Sequence, residues 1–313
     1  MFDPSYSLMG TIGESELTAG IALLLVRSSN KFLSPNRDNP SAFINWLRPI
    51  ESGEFGLSSR YSEVATRDAG GVDATGQVPV TSTNATRTLS GNWKNELSER
   101  STLSADVAYE AVAYKGGTYT DYSSRSGGLN FGYRLSEQTS SFFQVTGNKL
   151  LPSEGGSSST LYVATVGANW QVEFIDWLVQ AGKTKVGANS DTQGSIEMRY
   201  TGQRSQLTLN AGRSVSPSGL GGFVKADHAR GGWSYTLSEY SNAGIDLDRQ
   251  KNLSTSTSPT AITDNSRVWI DHDFTSQWSL QTFYQRRTTR EGSAKSISSN
   301  MLGLSIVYSH PDL

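Results

Sequence analysis

The stretch "LSGNWKNELSERSTLSADVAYEAVAY", residues 89–114, alternates apolar and polar side chains, pauses from Glu96 to Arg100, and then alternates again. Before the pause, Leu89, Gly91 and Trp93 share one side, and Ser90, Asn92 and Lys94 the other. After it, Leu103, Ala105, Val107 and Tyr109 oppose Ser104, Asp106 and Glu110. A period of two belongs to a β-strand, whose successive side chains leave by opposite faces. An amphipathic helix would need apolar residues at i, i+3, i+4 and i+7, and the stretch does not supply them. It reads as two long strands joined by a short turn.

The same pattern recurs along the chain. Tyr162, Ala164, Val166, Ala168 and Trp170 alternate with Thr165, Gly167 and Asn169. Ala243, Ile245 and Leu247 alternate with Asn242, Gly244 and Asp246, and Leu302, Leu304, Ile306 and Tyr308 with Gly303 and Ser305. Short breaks carry a related signature: "LSER" at 97–100, "LSEQ" at 135–138, "LSEY" at 237–240 and "FTSQ" at 274–277. Other short breaks lie at 13–15, 51–53, 172–175 and 201–204. Longer Gly/Ser/Asn/Asp-rich stretches separate them, at Ser28–Pro40, Arg67–Asn84, Leu151–Ser158 and Lys251–Thr263. From Leu97 to Leu135 is 38 residues and from Leu237 to Phe274 is 37, one two-strand unit each. The chain is therefore a repeat of hairpins.

Long strands with short turns at one end and long loops at the other are the pattern of a membrane β-barrel. The expected fold is all-β: a transmembrane antiparallel up-and-down β-barrel of about 16–18 strands, forming a single domain over residues 1–313. The strand count comes to seventeen, with Phe43–Arg48 the poorest alternation. Bacterial single-chain barrels have even strand numbers. The start "MFDPSYSLMG" shows no signal peptide. Together these lead to the expectation that a signal peptide and a first strand are absent from this chain.

Composition agrees. Only 35% of the residues are hydrophobic, too few for a large buried core but natural where one face of each strand meets water. The longest apolar run, Ala19–Val26, is eight residues, against about 20 for a spanning helix. Twenty-seven basic and 29 acidic residues leave no footprint for nucleic acid. With no cysteine, disulfides, thiolate metal sites and a cysteine nucleophile are excluded.

Trp93, Tyr133, Trp170, Trp177, Trp233, Tyr235, Trp278 and Tyr308 fall on the apolar side near short turns, where an interfacial aromatic girdle belongs. The opposite side is expected to line the lumen through Arg60, Lys94, Asp106, Glu110, Arg134, Glu197, Arg199, Arg230, Asp246, Asp248, Arg267, Asp271 and Arg287. These charges are mixed in sign, which predicts a weakly selective polar pore or charge pairs bracing the wall. Trp46 and Trp269 are candidates to project inward and stack on sugar rings. His272 in "DHD" lies between Asp271 and Asp273, but parity turns it outward beside a turn, so it reads as an interfacial residue. His228 is expected to face inward with Arg230. No catalytic residue, metal site or cofactor is assigned; Asp68 and Asp73 lack calcium-ligand spacing.

The runs "LSPNRDNPSAFINWLRPIESGEFGLSSRYSEVATRDAGGVDATGQV", "RTLSGNWKNELSERSTLSADVAYEAVAY" and the close "LGLSIVYSHPDL" resemble outer-membrane β-barrel porin family 2. These barrels accompany exopolysaccharide or exosortase (PEP-CTERM) gene clusters. The resemblance rests on the "VDATG" approach to Thr75–Gly76 and on the "LSER" turn. It implies a channel in the outer membrane of a Gram-negative bacterium, passing or exporting polysaccharide or other polar solutes. The implied partners are outer-membrane lipid, lipopolysaccharide, polysaccharide and an export complex. The alternatives are a non-conducting structural or binding barrel plugged by its loops, a barrel enzyme and, third, a soluble β-solenoid or sandwich.

Overall fold

The computed structural model describes residues 4–26, 36–65, 83–115, 120–153, 156–218, 222–253 and 260–308. Among them the regular structure is seventeen antiparallel strands in one up-and-down sheet, with no helix. The first eight are β1 (Ser5–Ile12), β2 (Ser15–Val26), β3 (Arg37–Ile50), β4 (Gly53–Ala65), β5 (Thr83–Ser98), β6 (Ser101–Lys115), β7 (Tyr122–Arg134) and β8 (Thr139–Pro152). The next five are β9 (Ser159–Val172), β10 (Ile175–Val186), β11 (Asn189–Thr201), β12 (Ser205–Ser218) and β13 (Gly222–Ser238). The last four are β14 (Ser241–Asn252), β15 (Ala261–Asp273), β16 (Trp278–Glu291) and β17 (Ile297–Tyr308). Contacts divide the chain into two compact units. The first holds Met1–Val166, Gly182–Thr192 and Val215–Val224, and the second Gly167–Ala181, Gln193–Ser214 and Lys225–Leu313.

The register of β5 on β6 settles the reading of the opening hairpin. Leu89 lies opposite Tyr109, Gly91 opposite Val107 and Trp93 opposite Ala105, all on one face. Thr88 faces Glu110, Asn92 faces Asp106 and Lys94 faces Ser104 on the other. The recurrent turn motif also has a mechanism. The hydroxyls of Ser98, Ser136, Ser238 and Thr275 each accept the backbone N–H two residues on, at 3.2–3.3 Å. A hydroxyl that accepts from its own turn fixes the chain reversal without a long loop. The residue before it, Leu97, Leu135, Leu237 or Phe274, is left exposed.

The apolar face is the exposed one. Leu89 is 57% exposed, Val107 63% and Leu304 68%. Among the described residues buried apolar side chains are few, and three of them in the first unit, Val112, Tyr122 and Leu150, form a small cluster with Tyr114 and Phe223 packed on it. This inverts the arrangement of a water-soluble protein and suits a wall whose apolar side meets hydrocarbon.

Several expected boundaries move. β3 begins at Arg37, β5 at Thr83 and β15 at Ala261, while β8 runs through Pro152 and β14 through Asn252. Each extension enters a stretch expected to be loop. Beyond the apolar band neither face has to be apolar, so the strand continues after its alternation fades. The weak segment Phe43–Arg48 is a genuine part of β3. Its alternation is blurred because Phe43 and Leu47 are apolar on the polar face. Thr75, Gly76, Asp68 and Asp73 lie outside the described residues.

Candidate functional site

The polar face of β13–β17 in the second unit carries the richest side-chain chemistry. Antiparallel pairing sets Arg230 opposite Asp248, Asp246 opposite Arg267, Gly244 opposite Trp269, Asp271 opposite Gln281 and Trp269 opposite Phe283. Phe283 is in turn opposite Gly303. The Arg230 guanidinium pairs with the Asp248 carboxylate at 2.5 Å. The Trp269 indole N–H donates to Asp246 at 2.9 Å. Arg267 donates to the Gln281 side-chain carbonyl at 3.1 Å, and its guanidinium lies 4.4 Å from the Phe283 ring centroid. Gln285 donates to Asn265 at 2.7 Å.

The two rings are seated on glycines. A Cβ added at Gly244 would lie 2.4 Å from the Trp269 ring, and one at Gly303 would lie 2.3 Å from the Phe283 ring. Each ring therefore lies against a neighbouring strand's bare backbone, and the Arg267 guanidinium lies over Phe283. Two polar atoms of the patch, Arg267 Nε and Asp271 Oδ1, are buried with no hydrogen-bond partner. Groups of this kind are costly to leave unpaired. The arrangement offers flat apolar surfaces flanked by charged donors and acceptors, suited to binding rather than to bond making.

The polar-face charges read from the sequence fall as follows. Arg60, Lys94, Asp106, Glu110, Arg134, Glu197 and Arg199 occupy the face opposite the apolar one on β4–β7 and β11. Arg230, Asp246, Asp248, Arg267, Asp271 and Arg287 do so on β13–β16. Bracing is seen at Arg230–Asp248, and Arg199 reaches Glu197 along its own strand at 3.7 Å. Other ion pairs lie on the apolar-face positions instead: Lys115–Glu63, Arg213–Asp227 and Arg249–Asp264.

The eight girdle aromatics sit close to short turns, and several touch. Trp170 stacks on Trp177 with centroids 5.8 Å apart, Trp233 on Tyr235 at 6.0 Å, and Trp278 packs on Tyr308 at 4.7 Å. Trp46 corrects the sequence reading. It stands opposite Leu17 and Leu57 on the apolar face, edge-on to Phe55 at 5.8 Å. Trp269 does lie on the polar face, and there Phe283 and Phe43 were missed. Phe43 covers Gly20 as Trp269 covers Gly244. Their signal is an aromatic at a polar-face position opposite a glycine, visible only once the register is known.

His272 shares the apolar face with Val268 and Ile270, bonded through Nδ1 to the Ser241 hydroxyl at 2.8 Å and edge-on to Phe274 at 5.0 Å. Asp271 and Asp273 leave by the opposite face, so neither can orient its ring as a catalytic base requires. His228 lies opposite Gln250 on the polar face, on the same side as Arg230.

No family model matches the chain, and no curated protein sequence does. Solved structures do match. The FrpB iron transporter from Neisseria meningitidis aligns with 99% of this chain and 64% of its own, at TM-score 0.61 and 11% identity. FpvA of P. aeruginosa, bound to a heterologous pyoverdine, aligns with 98% of this chain and 57% of its own, at TM-score 0.55 and 9% identity. The fold is that of a Gram-negative outer-membrane β-barrel. A third match, the siderophore receptor PirA from Pseudomonas aeruginosa, covers 97% of this chain and 67% of its own, at TM-score 0.53 and 8% identity. The chain thus spans less than two thirds of the length of the first two. In such a barrel the apolar face of each strand meets lipid and the polar face the interior.

Proposed function

We propose that the chain is the wall of an outer-membrane transport barrel whose interior passes a polar solute, with carbohydrate as the solute class. The observation that carries this reading is the Trp269 indole seated against Gly244 on the polar face. Sugar rings present apolar C–H faces and a rim of hydroxyls. The Trp269 ring against Gly244 offers the first a stacking surface, and Asp246 and Arg230 offer the second hydrogen bonds. The resemblance to porin family 2 points the same way, and the reading calls for no catalytic step.

Planar-bilayer recording of the refolded protein tests it. Conductance steps are expected, together with block by added oligosaccharide. Trp269→Ala is expected to raise the half-blocking concentration about threefold to tenfold, the loss of an aromatic contact worth about 0.5–1.5 kcal/mol. Steps with no block by any oligosaccharide would leave a channel for some other solute.

A second reading, a non-conducting binding barrel, is favoured by one observation. Phe223 of β13 packs on Val112, Tyr122 and Leu150 of β6–β8, an apolar contact formed at the loop-side ends of these strands. If folded protein gives no steps while Phe223→Ala does, this contact closes the path.

A further inference from the structure

Strand pairing enlarges the set of charges on the polar face. To the six carboxylates already described there, register and parity add Glu16, Glu54, Glu96, Asp176, Asp191, Asp273 and Glu291, and they add no lysine or arginine among the described side chains. Thirteen carboxylates therefore share that face with seven cations. The excess holds in each unit taken alone, six against three in the first and seven against four in the second. The apolar-face positions show the reverse balance. Among their described side chains, Asp38, Glu63, Asp227 and Asp264 stand with thirteen lysines and arginines. A chain of formal charge −2 is thus polarised across its wall, negative on the polar face and positive on the apolar one. Five of the carboxylates, Glu16, Glu54, Glu96, Asp176 and Asp273, stand at the turn-side ends of their strands, and all but Glu54 are exposed. The polar-face cations at that level are Lys94, Arg134 and Arg199, and Arg199 reaches Glu197. Further along, Arg230 is tied to Asp248.

We propose that the interior selects cations over anions, and that the solute it passes is uncharged or amino-bearing rather than acidic. Carboxylates in excess along a hydrated path with low-dielectric walls raise the local concentration of cations and lower that of anions. Close pairs such as Arg230–Asp248 add little to this field, because their potentials cancel at a distance. The effect belongs to the summed field of the face and calls for no single ion site. Being electrostatic, it weakens as salt shortens the Debye length from about 10 Å at 0.1 M to about 3 Å at 1 M. An acidic glycan meets repulsion along this path, whereas a sugar carrying an ammonium group is drawn in. The inference deepens the transport reading and rests on it, since the polar face must line the path of the solute.

Reversal potentials of the full chain in planar bilayers under a potassium chloride gradient test it. The potassium-to-chloride permeability ratio is expected to be about 3–10 in dilute salt and to fall toward 1 in about 1 M salt. Asp106→Asn with Glu110→Gln removes two polar-face charges and is expected to lower the ratio about twofold. Glu63→Gln with Asp264→Asn removes the same charge from the apolar face and is expected to leave the ratio unchanged. A ratio at or below 1, or an equal loss in the two double variants, overturns the proposal and leaves the transport reading standing. Absence of any conductance step refutes transport instead, so a second measurement works without conduction. The chain has no cysteine, and Ala108→Cys places a single thiol on the polar face between Asp106 and Glu110. Relative to free mercaptoethanol, this thiol is expected to react about tenfold faster with a cationic methanethiosulfonate than with an anionic one. Equal relative rates, or a thiol that neither reagent reaches, overturn the proposal whether or not steps are seen. Should the polar-face double variant fail to fold, Asp106→Asn and Glu110→Gln are made singly and read against the same outcomes.

Discussion

Val107→Arg is expected to destabilise the folded barrel by about 2–4 kcal/mol, whereas Ala108→Arg, one residue along, is expected to cost less than about 1 kcal/mol. Val107 is 63% exposed, stands opposite Gly91 and Gly127, and lies in the middle of the apolar run from Leu103 to Tyr109. An arginine there has hydrocarbon on every side and is too far from either interface to reach water easily. Ala108 stands opposite Ser90 and Ser126 on the face that carries Asp106 and Glu110, where a guanidinium meets polar neighbours. Reversible guanidinium unfolding in phospholipid vesicles measures both costs. Similar costs for the two variants would refute the face assignment, and with it the membrane reading of the wall. A large cost at Ala108 alone would mean that the faces are reversed.

Much of this wall was legible without coordinates. Alternation alone placed seventeen strands and sorted Leu89, Trp93, Val107 and Tyr109 from Lys94, Asp106 and Glu110, because parity along a strand is a local property. The repeated "LSER"-type motif was legible as a turn, and its hydroxyl-to-backbone bond at Ser98, Ser136, Ser238 and Thr275 explains why the motif repeats. Trp46 was misplaced where alternation is weakest, since β3 carries apolar side chains on both faces. Phe283 and Phe43 were missed for a different reason. What makes them notable is the glycine across the strand boundary, Gly303 or Gly20, and pairing between strands is not written in either strand alone.

The glycine beneath Trp269 gives the second large effect, and it tests the candidate site directly. Gly244→Ala in the wild-type chain is expected to cost about 1–3 kcal/mol, because the new methyl would overlap a ring that Asp246 holds in place. In a chain already carrying Trp269→Ala, the same substitution is expected to cost about 1 kcal/mol less, the remaining cost being the approach of the methyl to the Trp233 carbonyl oxygen. The size of the change therefore depends on the ring. Unfolding of the wild type, both single variants and the double variant in vesicles completes a double-mutant cycle. A coupling near zero would mean that the indole stands away from the wall and that Gly244 is merely a small residue in a strand. The platform proposed to stack on sugar would then have lost the contact that holds it flat. A coupling of about 1 kcal/mol or more would fix the ring against the backbone before any solute arrives. An aromatic surface already immobile in the empty barrel loses little side-chain entropy on binding, and such preorganisation is what lets a single ring contribute to recognition.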